Sequence, residues 1–221
     1  MRTSDQKMAS PVQAIDYRKL YQQLIYIEDQ NLINIMKMGY QIQTKGDETG
    51  ILAYAYIDEE HGICFNAFSL VKEEDGQIIE FNDEPMNKKI NHRIKLEDLK
   101  EAKGFPVELD PDIAMNYVDR AVEINKIHAS NPALEEIRLN PQIDGFRHKI
   151  HPDDVECFIF DPSTNQSESF WARTQEQTTN SIRAIVLTPI SKKYSFAIGD
   201  RIELNLYNYK DSVRLIHIFN H

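Results

Sequence analysis

Five short apolar runs separated by turn residues mark the last third of the chain. Each covers five to nine residues, and prolines, glycines and polar residues interrupt the series. Apolar runs of this length with turn residues between them are typical of consecutive antiparallel strands. The pattern therefore predicts an antiparallel meander or a curled half-barrel within residues 141–221. The runs are Val155 to Phe160, Ser169 to Arg173, Ile182 to Ile190, Ile202 to Leu206 and Val213 to Phe219.

The first third combines a helical period with strand-like runs. Apolar residues recur at near-helical spacing from Pro11 to Met38, which predicts an N-terminal helix with a weak point near Asp29. Beyond Gly39, short apolar runs alternate with glycine-containing turns, so we expect a four-stranded antiparallel sheet. The four predicted strands are Tyr40 to Thr44, Ile51 to Ile57, Ile63 to Val71 and Gln77 to Phe81.

The sequence predicts helices in the middle of the chain. A short helix is expected from Leu96 to Ala102, and a longer one after Asp110 and Pro111, which are favourable N-cap and first-turn residues. A further helical turn follows Pro132. The prediction is an α+β protein with an α+β subdomain over residues 1–140 and a β-rich subdomain over residues 141–221, either separate or sharing one core.

Composition and charge narrow the classes of function. No apolar stretch approaches the roughly 20 residues of a membrane helix, and the two cysteines, Cys64 and Cys157, stand apart as expected of buried thiols in a cytoplasmic protein. The net charge is −10, and residues 1–130 carry 15 basic and 23 acidic side chains. An acidic surface repels a phosphate backbone. We therefore expect neither nucleic acid nor membrane binding, and an acidic N-terminal half suited to a basic protein partner.

One string carries the residue types of a metal site. His148 and His151 precede Asp153 and Asp154, and these groups are reasonable ligands for zinc. The string resembles the His-Pro-Asp-Asp signature of zinc-dependent deacetylases of the N-acetylglucosaminyl type, which implies a metal-dependent hydrolase. In that family the motif ends an early buried strand, whereas here it comes late and precedes a strand. A turn that enters a strand is the competing interpretation.

Other catalytic patterns are missing from the sequence. No serine lies in a nucleophile elbow, neither cysteine has a local base, and the eight glycines form no phosphate-binding loop. The balance favours a protein without catalytic activity and without a cofactor.

The segment from Glu168 to Leu204 carries a second resemblance. An acidic residue precedes Phe170 and Trp171, a strand ends at Pro189, and Gly199-Asp200 turns into another strand. This order resembles a small β-rich bacterial domain of uncharacterised function that is related to immunity proteins of toxin systems. The resemblance covers about 40 residues and implies a binding role, for which Trp171, Arg173 and Asp200 are the candidate residues.

Three functions follow from the sequence. The leading hypothesis is a non-enzymatic, cytoplasmic binding or accessory protein of the immunity type that recognises a basic partner. The alternatives are a metal-dependent hydrolase that uses the histidine and aspartate string, and a small-ligand sensor. The sequence does not indicate an oligomeric state.

Overall fold

A computed structural model describes residues 9–42, 44–82, 92–129, 131–179, 181–209 and 212–219. The chain divides into two compact units, Met1–His128 and Ala129–His221. Both contain helices and strands, and sheet predominates. The boundary was predicted near residue 141, so a helix expected to belong to the first subdomain is grouped with the second unit.

The N-terminal unit is built on one antiparallel sheet in the order β1-β7-β2-β3-β4-β5, with β6 also paired to β4. Its strands are β1 (Ser10–Pro11), β2 (Leu24–Glu28), β3 (Gly50–Asp58), β4 (Gly62–Glu74), β5 (Gln77–Asn82), β6 (Arg93–Lys95) and β7 (Lys103–Pro106). Its helices are α1 (Tyr17–Leu20), α2 (Gln30–Tyr40) and α3 (Pro111–His128), with 3₁₀ turns at Val12–Ala14 and Leu96–Asp98.

The sheet of the N-terminal unit buries both of its faces. On β3, Ala53 and Ala55 belong to one core together with Ile33 and Met36 of α2. The larger side chains that alternate with these alanines face the other way and form a second core with Tyr117 of α3. Because successive side chains of a strand point to opposite faces, the alternation of small and large residues in β3 supports a helix layer on each side.

The predicted N-terminal helix from Pro11 to Met38 is wrong as a continuous element. Strand β2 occupies Leu24–Glu28, between α1 and α2, and pairs with β3 and β7. The isoleucines and tyrosine of β2 favour an extended backbone on a buried sheet. Asp29 then begins a new helix, because its carboxylate accepts hydrogen bonds from the amides of Asn31 and Leu32.

Two further predictions in the first unit differ from the structure. Tyr40 ends α2 and Gln41 adopts a left-handed backbone, so the strand expected from Tyr40 to Thr44 does not form among the described residues; residue 43 lies outside them. The helix expected from Leu96 to Ala102 is only a 3₁₀ turn that leads into β7. Three of the four predicted strands are present, as β3, β4 and β5, and the described residues add β1, β2, β6 and β7. Short pairings such as β1 and β6 carry little sequence signal.

The C-terminal unit is a closed five-stranded barrel in the order β10-β11-β12-β8-β9. All five predicted strands have a counterpart, but the one expected from Ile182 to Ile190 ends at Val186. The meander closes into a barrel because β12 pairs in parallel with β8. Helix α4 packs on β9. The elements are α4 (Pro132–Leu139), β8 (Asp154–Asp161), β9 (Gln166–Gln177), β10 (Ile182–Val186), β11 (Arg201–Tyr209), β12 (Ser212–Ile218) and 3₁₀ turns at Pro141–Phe146 and Lys192–Tyr194.

Alternate side chains along the barrel strands point inward and form the core of the barrel. Val155, Cys157 and Ile159 of β8 are buried, and so are Phe170 and Ala172 of β9. The residues between them point outward, as the period of two in a strand requires. Trp171 therefore lies on the outer surface of the barrel and its neighbour Phe170 in the core.

Candidate functional site

The histidine and aspartate string forms the turn that leads into β8. His148 donates its backbone amide to the Asp154 carbonyl at 2.8 Å, and Asp154 donates its own to the His151 carbonyl at 2.9 Å. The Nδ1 atom of His148 accepts long hydrogen bonds from the amides of Ile150 and His151. Backbone and ring hydrogen bonds together fix this turn against the barrel.

Asp153 is held by a buried arginine of α4. Arg138 donates from Nε and Nη2 to the two carboxylate oxygens at 3.0 and 2.7 Å, and from Nη1 to Glu135 at 2.6 Å. Only 2% of Arg138 and 7% of Asp153 are exposed. This two-pronged geometry is the strong form of a carboxylate pair. Its role is to attach α4 to the entrance of β8.

Arg147 reinforces the same region from the other side. Its guanidinium donates to the carbonyls of Pro152 and Ile137 at 2.7 and 2.6 Å, and its Nε contacts Asp144 at 2.9 Å. These bonds connect the end of α4 with the turn before β8. Buried carbonyls are costly when unpaired, so Arg147 stabilises a connection that has little regular structure.

The other predicted binding residues are occupied locally. Arg173 donates to both oxygens of Asp154 at 2.6 and 3.1 Å across the β8–β9 pair. Trp171 is partly buried, with the His148 ring edge-on to it at a centroid distance of 5.3 Å. Asp200 accepts from the amide of Ala197 at 2.8 Å, within the turn that contains Gly199. The structure thus brings Arg173 to Asp154 and His148 to Trp171, and it places Asp200 in a turn of its own.

The metal interpretation has little support from this geometry. Asp153 and Asp154 each pair with an arginine. These guanidinium groups compete with a metal cation for the same carboxylate oxygens. Across the described ranges, no group of three or more histidine, cysteine, aspartate or glutamate side chains is arranged to hold a metal ion.

The cysteines are placed in environments that suppress reactivity. Burial raises the pKa of the Cys64 thiol to about 12, and burial likewise raises the pKa of Cys157. Because the thiolate is the nucleophile, neither side chain is prepared for covalent chemistry.

A cluster of charged groups surrounds Asp58 at the end of the β3–β4 hairpin. Arg93 Nη1 lies 3.2 Å and His128 Nδ1 3.8 Å from Asp58 Oδ2, while Oδ1 accepts from the amides of Glu60 and His61. Burial alone would raise the pKa of Asp58, but these amides and the neighbouring positive charges lower it overall. The carboxylate is therefore stabilised in its charged form and connects the hairpin with the end of α3.

A large open pocket lies in the N-terminal unit. Its volume is about 810 Å³, and it is bounded by the β4–β5 hairpin, the end of β7 and the first turn of α3. This volume lies in the range of pockets that bury a drug-sized ligand. The lining residues are Glu74, Asp75, Gly76, Gln77, Ile78, Ile79, Phe81, Phe105, Pro106, Val107, Glu108, Leu109, Asp110 and Ile113.

The floor of this pocket is the open end of a hydrophobic core. Phe105 is a buried member of the core between the sheet and α3, and Phe81, Val107 and Ile113 pack against that core while remaining partly exposed. Ile79 is 50% exposed at the mouth of the pocket. The core therefore presents apolar surface to the pocket and is not covered there by described side chains.

The charged residues of the lining are all acidic. Glu74 and Asp75 come from the β4–β5 turn and Glu108 and Asp110 from the connection between β7 and α3; all four are exposed. Lys72, outside the lining, contacts Glu74 at 3.2 Å and is shared with Asp47 at 3.1 Å. None of the described lining residues is basic. The carboxylates give the rim a negative potential, which Lys72 offsets in part at Glu74.

A second open pocket of about 670 Å³ also borders the end of β7. It shares Phe105, Pro106 and Glu108 with the first pocket, but Arg18 and Lys19 also line it. Its mixed charge gives no preference for one sign of ligand. The first pocket, which we call the acidic pocket, is therefore the stronger candidate site.

The sequence did not identify the acidic pocket. Glu74 and Asp75 count there only toward the acidity of the N-terminal half, Asp110 is only a helix cap, and Phe105 lies just beyond a predicted helix that does not form. One signal was present: Phe105, Val107 and Leu109 alternate with other residues after Gly104, which is the period of an extended strand.

No helix within the described ranges is long and apolar enough to cross a membrane. Comparison of the chain with models of protein families, with curated protein sequences and with solved structures finds no match.

Proposed function

We propose that this chain is a non-enzymatic binding protein of the cytoplasm, an accessory factor of the immunity type, whose N-terminal unit recognises a basic protein partner at the acidic pocket. The observation that carries the proposal is the combination of an apolar floor with a rim on which every charged lining residue described is acidic. The resemblance of the segment around Trp171 to an immunity-related domain supports the same class of function.

The barrel has a different role in this proposal. The two aspartates of the barrel that resemble a catalytic motif, Asp153 and Asp154, form ion pairs with Arg138 and Arg173. No specific observation favours a metal-dependent hydrolase at the histidine and aspartate string. The barrel supplies a rigid unit, and recognition is assigned to the acidic pocket.

Binding of a fluorescein-labelled, capped oligolysine peptide tests this proposal. The variant Glu74→Gln/Asp75→Asn removes two rim charges and keeps side chains that suit the turn, where Asp75 has a φ of 53° that asparagine also tolerates. Each exposed charge pair contributes about 0.2–1 kcal/mol, so fluorescence anisotropy should show a Kd raised between about twofold and thirtyfold. Added salt should reduce the difference.

The matched control is Glu59→Gln/Glu60→Gln, which removes the same charge from the exposed tip of the β3–β4 hairpin. We expect its Kd to stay near that of the unmodified protein. Equal weakening in the two double variants would show that only the general acidity of the chain attracts the peptide. That result, or no measurable binding, would contradict a specific site.

A further inference from the structure

The recognised element can be described more closely, and this inference rests on the proposed function. The acidic pocket has two acidic pairs that belong to separate segments, Glu74 with Asp75 on the β4–β5 turn and Glu108 with Asp110 before α3. Apart from Gly76 and Gln77, the rest of the lining is apolar and comes from β5, the end of β7, the connection after it and α3. The carboxylates therefore come from two separate segments and share the pocket with apolar side chains.

The apolar surface of the acidic pocket is better covered by an apolar side chain than by a basic one. Phe81, Val107 and Ile113 contact a buried core and remain partly exposed in the pocket. A lysine side chain brought there would lose water around its ammonium group without a buried partner, which is unfavourable. An aromatic or large aliphatic side chain would bury the floor and gain the hydrophobic free energy of that area.

We infer that the acidic pocket binds a protein segment in which a large apolar side chain stands between basic residues. The apolar side chain occupies the floor, and basic residues on its two sides face the two acidic pairs. The volume of about 810 Å³ accommodates several side chains, so a segment of the partner fits better than a single residue. Hot spots of protein interfaces have this form, an apolar anchor in a pocket with a polar rim.

Three capped peptides with the unmodified protein test the inference. The first has lysine pairs on either side of a tryptophan, the second replaces tryptophan by alanine, and the third replaces the lysines by glutamates. Loss of the buried aromatic should raise the Kd about tenfold or more, as measured by calorimetry. The glutamate peptide should bind more weakly than both, because the rim repels it.

A variant of the protein tests the floor independently. Ile79→Lys places a positive charge and removes apolar surface at the mouth of the pocket, where the side chain is 50% exposed. We expect about tenfold weaker binding of the tryptophan peptide. Ile127→Lys is the matched control, because Ile127 is 66% exposed on α3 and lies outside the lining. Circular dichroism checks that both variants remain folded.

The outcomes separate this inference from the proposed function. Equal affinity of the tryptophan and alanine peptides, together with continued sensitivity to Glu74→Gln/Asp75→Asn, would overturn the apolar anchor and leave the basic partner in place. Failure of both lysine peptides to bind would overturn the proposed function and the inference with it. Equal effects of Ile79→Lys and Ile127→Lys would locate binding outside the acidic pocket.

Discussion

Two pairs of adjacent acidic residues in this chain have opposite surroundings. In the barrel, Asp153 and Asp154 are each held by an arginine, through Arg138 and Arg173. At the acidic pocket, Glu74 and Asp75 are exposed on a hairpin turn, and Glu74 pairs with Lys72 at the surface. The pair that resembled a catalytic motif forms structural ion pairs, and the pair on the hairpin turn borders the best candidate site. Burial and partners, more than residue type, distinguish the two.

The largest expected effect comes from breaking the buried pair in the barrel. Arg138→Met leaves Asp153 and Glu135 without their shared cation, and removing one partner of a buried pair typically costs about 3–5 kcal/mol of unfolding free energy. This loss can be measured by urea unfolding, monitored through the fluorescence of Trp171, the sole tryptophan of the sequence. Arg183→Met is the control, because Arg183 pairs with Glu176 at the surface and should contribute at most about 1 kcal/mol. Equal stabilities would contradict a structural role for Arg138.

The two acid pairs should respond differently to the same type of substitution. Asp153→Asn removes the charge that faces buried Arg138, and charge-assisted hydrogen bonds contribute about 1.5–3 kcal/mol, so the unfolding free energy should fall by that order. Glu74→Gln/Asp75→Asn should stay within about 0.5 kcal/mol, as is usual for exposed positions. Thermal unfolding of both variants provides the measurement. A loss of stability in the pocket variant as large as in Asp153→Asn would refute the contrast.

The sequence predicted the barrel strands better than it predicted the first sheet. Runs such as Val155 to Phe160 have alternation and clear turns at both ends, so local pattern was sufficient. Strand β2 was missed because its leucine and isoleucines also fit a helical period next to α2. Closure of the barrel by Ile216 beside Phe158 joins residues far apart in the chain, and no local pattern encodes such a pairing.

The sites depend even more on distant contacts. Asp153 is a structural residue because it pairs with Arg138, which lies fifteen residues earlier in the chain. No rule of sequence spacing predicts that pair. The acidic pocket brings together Phe81, Phe105 and Ile113 from β5, β7 and α3, which no local pattern of the sequence connects. Residue types therefore identified candidates for charge and for chemistry, and only the folded arrangement distinguished carboxylates in buried ion pairs from carboxylates at the surface.

A smaller effect is expected from pH in the N-terminal unit. Burial would raise the pKa of Asp58, but amide hydrogen bonds and the charges of Arg93 and His128 make it lower than in the unfolded chain. Its stabilising contribution is then complete above the unfolded pKa of about 3.9 and is lost as the pH falls through the folded pKa. Asp58→Asn keeps an oxygen for the amides and loses the charge, so it should cost about 1 kcal/mol or less at neutral pH, since Arg93 is 44% exposed. The difference from the unmodified protein should shrink in acid; a difference that grew with acidity would contradict this assignment.

The smallest effect is expected from metal ions at the barrel. Zinc added to the unmodified protein should leave the unfolding temperature unchanged, because a ligand stabilises only a fold that it binds, and Asp153 and Asp154 already face arginines at 2.6 to 3.1 Å. Thermal unfolding with and without zinc measures this, and His148→Ala/His151→Ala is the control for binding by histidines alone. A rise in unfolding temperature that this variant abolished would show that the histidines recruit metal despite the arginine pairs. The barrel would then hold a binding site of its own beside the structural acid pair, and recognition would not belong to the acidic pocket alone.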